Sequence, residues 1–178
     1  MNVFLKIKHW QLFILLVGTM FLVQFITLES FKSGEQPNII PLMGLTLFMM
    51  LIYMSWLWAI ASACYEALPE HLAQSPKIMK IGIIYTVIYT VVISLLFHGN
   101  DIHSFVLIPH LLAMAAIFYA LGFTAKQLIK LEQQKEVTFV DYSGPFFLFW
   151  FFPIGVWFIQ PKVNKLLASE KLESEASK

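Results

Sequence analysis

Four long apolar runs constrain this chain more than any other feature. They cover Trp10–Leu28, Ile39–Ala63 and Ile81–Phe97, and a stretch that opens between Ile102 and Phe105 and closes at Ala125. Each approaches the ~20 residues that carry a helix across a hydrocarbon core of ~30 Å. A backbone in lipid must satisfy its own donors and acceptors, and these runs lack the alternation of a membrane barrel, so each is expected to be helical. Composition agrees. The 178 residues are 58% hydrophobic and only 13% charged, and mean hydropathy is +0.72; soluble domains carry about twice that share of charge. The expected fold class is therefore an all-α integral membrane protein. One embedded domain would occupy 1–161, with spans at about 10–28, 39–63, 81–97 and 104–125, followed by a polar cytoplasmic tail at 162–178.

The residues flanking the runs suit helix ends. Asn38 can cap the second helix, with Pro41 tolerated in its first turn. Ser75 can cap the third, with Pro76 at its first position. Asp101 or Ser104 can cap the fourth, and Pro109 should kink that helix early. The N-terminal run resembles a signal peptide in having Lys6 and Lys8 before it, but no small-x-small cleavage site follows, so it is read as an uncleaved first span.

All twelve basic residues are lysine, and their placement sets orientation. Lys6, Lys8, Lys77, Lys80, Lys126, Lys130 and Lys135 flank one side of the four spans. Only Lys32 falls on the other. The positive-inside rule then puts the N-terminus in the cytoplasm, and four crossings return the chain there. A bacterial inner membrane fits this pattern.

The segment at 145–160 tests that topology. Phe146–Ile159 has no charge, and eight of its fourteen residues are Phe or Trp, yet Pro153 and Gly155 interrupt it. Fourteen residues make a helix of about 21 Å, short of a full crossing. A crossing would also move four C-terminal lysines outside. A surface helix needs a polar face, and this run has none. The expectation is a re-entrant segment that dips from the cytoplasmic side, breaks at Pro153–Gly155 and packs on the bundle. The alternative is a fifth span through a thinned bilayer.

Small and hydroxyl residues recur every fourth position in three spans: Ser55, Ala59, Ala63 and Ala67; Gly82, Thr86, Thr90 and Ser94; and Ala116, Ala120 and Thr124. Each set shares a helical face suited to close packing in lipid. Trp10, Trp56, Trp58, Tyr65, Tyr85 and Tyr119 are expected to anchor at the membrane–water boundary. Gln24 is a candidate for bonding across the bundle.

Two clusters carry potential chemistry. His98, Asp101, His103 and His110 lie between and within spans three and four, where imidazole and carboxylate suit a metal ion or haem. Their spacing matches no zinc signature. Histidine within a span is a functional candidate by default, which singles out His110. Cys64, Glu66, Glu70 and His71 form a second group, read mainly as solvated boundary residues. A lone cysteine permits no intrachain disulfide. There is no phosphate loop or nucleophile elbow, and a net charge of +1 gives no basic patch for nucleic acid. The function expected is a non-catalytic accessory or scaffold subunit in the lipid bilayer, associating with other membrane proteins or with itself. An oligomeric pore or membrane-perturbing effector lined by Thr86, Thr90 and Ser94 is one alternative. A metal- or haem-dependent membrane enzyme using the outer histidines is the other.

Overall fold

The computed structural model describes residues 3–34, 38–96 and 106–176, with side chains to residue 169, and every element in them is helical. A short helix α1 (Val3–Lys6) precedes the first long one. That is α2 (His9–Phe13), continuous through a π-helical turn at Ile14–Gly18 with α3 (Thr19–Ser33). Then come α4 (Ile39–Ala67), α5 (Lys77–Leu96), α6 (Leu107–Gln133), α7 (Phe139–Trp150) and α8 (Phe152–Ala176). Four of these stretches, His9–Ser33, Ile39–Ala67, Lys77–Leu96 and Leu107–Gln133, are long and apolar enough to cross a membrane, as a multi-pass membrane protein requires.

Local chemistry sets the boundaries. The Asn38 side chain accepts from the Ile40 amide at 3.2 Å, so α4 starts where a capping side chain is available. It stops at Ala67 because Leu68 precedes Pro69 and is pushed to an extended conformation. Pro76 opens the next helix, its carbonyl taking the Lys80 amide at 2.9 Å. Gly34 ends α3 with φ +74°, a left-handed conformation that glycine adopts without strain. The ends run beyond the apolar runs by as much as eight residues, because mixed flanks such as Gln127–Gln133 continue the helix and bury Leu128, Ile129 and Leu131.

α5 packs against α6 through small residues. A Cβ on Gly82 would stand 3.3 Å from the Ala116 Cβ. The Thr86 hydroxyl donates to the Gly82 carbonyl at 2.9 Å and faces the Ala113 carbonyl across the interface. Thr90 likewise bonds back to Thr86. These hydroxyls are spent on backbone carbonyls, which lets two helices approach without burying unpaired polar groups.

The core is lopsided. Leu12, Leu16, Trp56, Ile60, Cys64, Leu128, Phe149 and Ile159 are fully buried or nearly so. They gather toward the end of the bundle that holds the N-terminal segment, the α4–α5 and α6–α7 connections and α8. Toward the other end packing thins, and α3 buries no residue fully, with Val23, Ile26 and Thr27 half-buried. Gln24, on α3, is exposed.

Candidate functional site

The most elaborate side-chain arrangement is a polar clamp at the packed end, built on α8. Gln160 is fully buried. Its Oε1 accepts from the Trp56 indole Nε1 at 2.7 Å. Its Nε2 donates to the carbonyls of Phe4 and Ile7, at 3.0 and 3.1 Å, and lies 3.3 Å from Asn164 Oδ1. One amide thereby joins α1, the turn before α2, the middle of α4 and α8. Trp56 is consequently no boundary anchor, since its ring is wholly enclosed and packs on Phe149. A buried indole N–H needs an acceptor, and Gln160 supplies it. In the sequence, the sign of this site was a lone amide closing a run of aromatics, a group that apolar neighbours alone cannot satisfy.

A second set of polar residues holds the α4–α5 connection. Gln127 Nε2 donates to the Gln74 carbonyl at 2.6 Å. The Lys130 ammonium, fully buried, donates to the Leu72 carbonyl at 3.1 Å and to Glu136 at 2.8 Å. That hydrogen bond, with the neighbouring positive charges of Lys130, Lys126 and His71, holds the Glu136 carboxyl below its ordinary range. Lys162 pairs with Glu132 at 2.6 Å and ties α8 to the end of α6. Asp141 accepts from the amide and the hydroxyl of Thr138, which starts α7 and lowers the Asp141 pKa. Lysines read from the sequence only as orientation signals therefore also hold loops in place.

The aromatic segment forms a helical hairpin. The chain reverses at Phe151 (φ −89°, ψ 58°), two residues before Pro153. Pro153 and Gly155 lie instead in the opening turns of α8, where a proline lacks no needed donor. Gly155 sits against the backbone carbonyl of Leu148, and a Cβ there would run into that oxygen. Glycine thus permits α7 and α8 to close on each other. The Tyr53 hydroxyl donates to the Phe149 carbonyl at 2.6 Å, fastening the tip of the hairpin to α4. Tyr53 is fourteen residues from the end of α4, about 21 Å along its axis. α8 then returns beside α2, with Trp157 against His9 and Phe13 at ring separations of 4.8 and 5.5 Å. Helix α8 continues unbroken through the polar residues to Ala176, so the tail begins as an extension of the hairpin.

Of the outer histidines and their carboxylate, His98, Asp101 and His103 lie outside the described residues. His110 is exposed on α6 and its Nδ1 stands 3.2 Å from the Tyr89 hydroxyl of α5. One turn away along α5, Tyr85 donates to the Pro109 carbonyl at 3.0 Å. Among the described residues, no three His, Cys, Asp or Glu side chains converge. Cys64 is buried, whereas Glu66, Glu70 and His71 are exposed past or near the end of α4. Among the small residues, Ala59 and Ala120 are buried, Ala63 and Ala116 are half-buried, and Ser55 borders a gap between α4 and α5. Ser94 is half-buried near the end of α5. No family model, curated protein or solved structure matches the chain.

Proposed function

We propose that the chain is a four-span protein of a bacterial inner-membrane type bilayer, with both ends cytoplasmic, and that it serves as a non-catalytic scaffold or accessory subunit. The α7–α8 hairpin enters from the cytoplasmic side and turns near mid-depth. Its support is the lysine distribution together with the hairpin's length and its attachment at Tyr53. The scaffold reading rests on one observation above all. At the packed end Gln160 and Lys130 are held in internal bonds, while α3 buries no residue fully and leaves Phe21, Phe25, Leu28 and Phe31 exposed. In lipid such a face is free to take another helix. A pore lined by Thr86 fits less well, since that hydroxyl is turned to α6.

Photo-crosslinking amino acids at Phe21 and Phe25, both exposed on α3, test the role. A discrete adduct with one membrane protein, or with a second copy, is expected. Lipid adducts alone, with a monomeric mass in mild detergent, would overturn it. Topology is checked separately with single cysteines at Gly34 and Ser174 in a Cys64→Ala background. An impermeant thiol reagent should label the first in intact cells and leave the second unlabelled.

A further inference from the structure

α4 and α5 are consecutive and antiparallel, yet they do not close on each other along their length. α5 turns its small face, Gly82 and Thr86, to α6. What remains toward α4 is bulky and β-branched. The result is a groove of about 410 Å³ whose walls include Met54, Ser55 and Trp58 of α4 and Ile84 and Val87 of α5, with Phe4 contributed by α1. It runs from Trp58 toward Leu51, about 10 Å along the helix. Ser55 supplies its one hydroxyl; everything else named is apolar.

The Trp58 end of this groove carries positive charge. The Lys80 ammonium lies 4.9 Å from the centre of the Trp58 ring, over its face. Lys80 and Lys77 both occupy the first turn of α5, which contains no acidic residue. A helix N-terminus is already the positive end of the helix dipole, so two lysines there raise the local potential where carboxylates are usually preferred. Among the described residues neither lysine enters an ion pair. An apolar slot with an uncompensated cation at one end matches an amphiphile that has a hydrocarbon chain and an anionic head.

We infer that the α4–α5 groove holds an acyl chain of an anionic phospholipid from the surrounding bilayer, with its phosphate head at Lys80. Trp58 serves both parts, packing on the chain and fixing the ammonium. The inference rests on the membrane reading proposed above. It adds a site and a headgroup preference that the reading itself does not require.

The test uses the full chain. Flotation with lipid vesicles first establishes that it enters a bilayer. Binding of phosphatidylglycerol and of phosphatidylcholine with the same acyl chains is then compared by native mass spectrometry in detergent. The wild type should prefer the anionic lipid by about fivefold, the factor one lysine near an anionic headgroup contributes. Lys80→Gln should bring the ratio to about one, and Lys80→Arg should keep it. Ser55→Leu, which narrows the slot, should weaken both lipids alike. Lys165→Gln, on the exposed surface of α8, should leave the preference intact. Equal binding of the two lipids by the wild type, or a preference that survives Lys80→Gln, overturns the groove proposal alone. A chain that fails to float overturns the membrane reading with it.

Discussion

The second half of α4 and its first half differ less in sequence than in what surrounds them. From Ile52 to Cys64 the helix buries Met54, Trp56, Leu57, Ile60 and Ala61. From Ile39 to Leu51 it buries none, and Ile40 is 67% and Phe48 47% exposed. Both halves are strongly apolar, so hydrophobicity does not separate them. The buried half is the one that faces hydrogen-bonding partners: Tyr53 to Phe149, Trp56 to Gln160, and below them Lys130 to Leu72. The same contrast divides the first span, where Leu12, Leu16 and Val17 are buried before the π-helical turn ends and nothing is buried after it. In the membrane setting proposed above, apolar side chains gain little by leaving one hydrocarbon surrounding for another. Buried polar groups, in contrast, lose heavily when unpaired. Dense packing in this molecule accordingly follows its polar anchors.

The sharpest way to break the packed half is at Gly155. Alanine there meets the Leu148 carbonyl, a backbone atom that cannot rotate away. The hairpin must open, at a cost of about 3 kcal/mol. Gly44→Ala, on the open half of α4 with nothing within 4 Å of the added Cβ, is the control; it should stabilise slightly, by about 0.5–1 kcal/mol, since alanine loses less backbone entropy in a helix. Thermal melting in detergent distinguishes the two. Equal behaviour would show that the α7–α8 contact is unimportant to stability.

Gln160→Leu comes next. It leaves the Trp56 N–H and the carbonyls of Phe4 and Ile7 without their partner. The expected loss is about 2–3 kcal/mol, with protease sensitivity appearing first near the N-terminus. Adding Trp56→Phe should recover part of the loss, because it removes the orphaned donor. A double variant no better than Gln160→Leu alone would mean that the indole contact carries no net energy.

A smaller effect is expected from pH. Lys130, by its hydrogen bond, is the leading cause that holds Glu136 below the ordinary carboxylate value of 4.5. A carboxyl with a lowered folded pKa binds protons more readily in the unfolded chain. Its contribution is therefore complete above 4.5 and disappears as pH falls through the lower folded value. Asp141 acts with the same sign through Thr138. Melting temperature should fall on acidification in this window, and Glu136→Gln should flatten part of that slope. An unchanged slope would place the acid sensitivity elsewhere.

How far the sequence disclosed all this depends on the distance over which each feature is encoded. The four long helices were legible because the length and apolarity of a run act within one segment. Asn38 and Pro76 were legible as helix starts because a cap reads its own neighbours. The clamp was not, since Trp56 and Gln160 are 104 residues apart; Trp56 reads locally as a boundary anchor and Gln160 only as the last residue of the aromatic segment. Lys130 was similarly absorbed into the charge count. The reversal at Phe151 was misplaced by two residues because Pro153 attracts attention as a breaker, although a proline in an opening turn starts a helix as readily as it ends one.

His110 offers the smallest expected effect and the finest test of the contrast, because it is a polar group at the open end. Its only described partner is the Tyr89 hydroxyl at 3.2 Å, and its ring lies 5.9 Å from the tyrosine ring in a tilted arrangement. The side chain is exposed, so a polar molecule from the surroundings can replace the bond. His110→Ala should then cost at most about 0.5–1 kcal/mol, well under Gln160→Leu. Tyr89→Phe should cost about the same, and the double variant no more than either single change, as for two groups that bond chiefly to each other. Metal content and absorbance in the haem region are measured on the same samples, prepared without a histidine tag. If the scaffold reading holds, neither wild type nor variant carries a stoichiometric metal or haem. A bound metal lost in His110→Ala, together with a drop in melting temperature as large as that of Gln160→Leu, would reverse the comparison. The open end would then be organised around a site of its own, and the enzyme reading with His98, Asp101 and His103 would replace the scaffold.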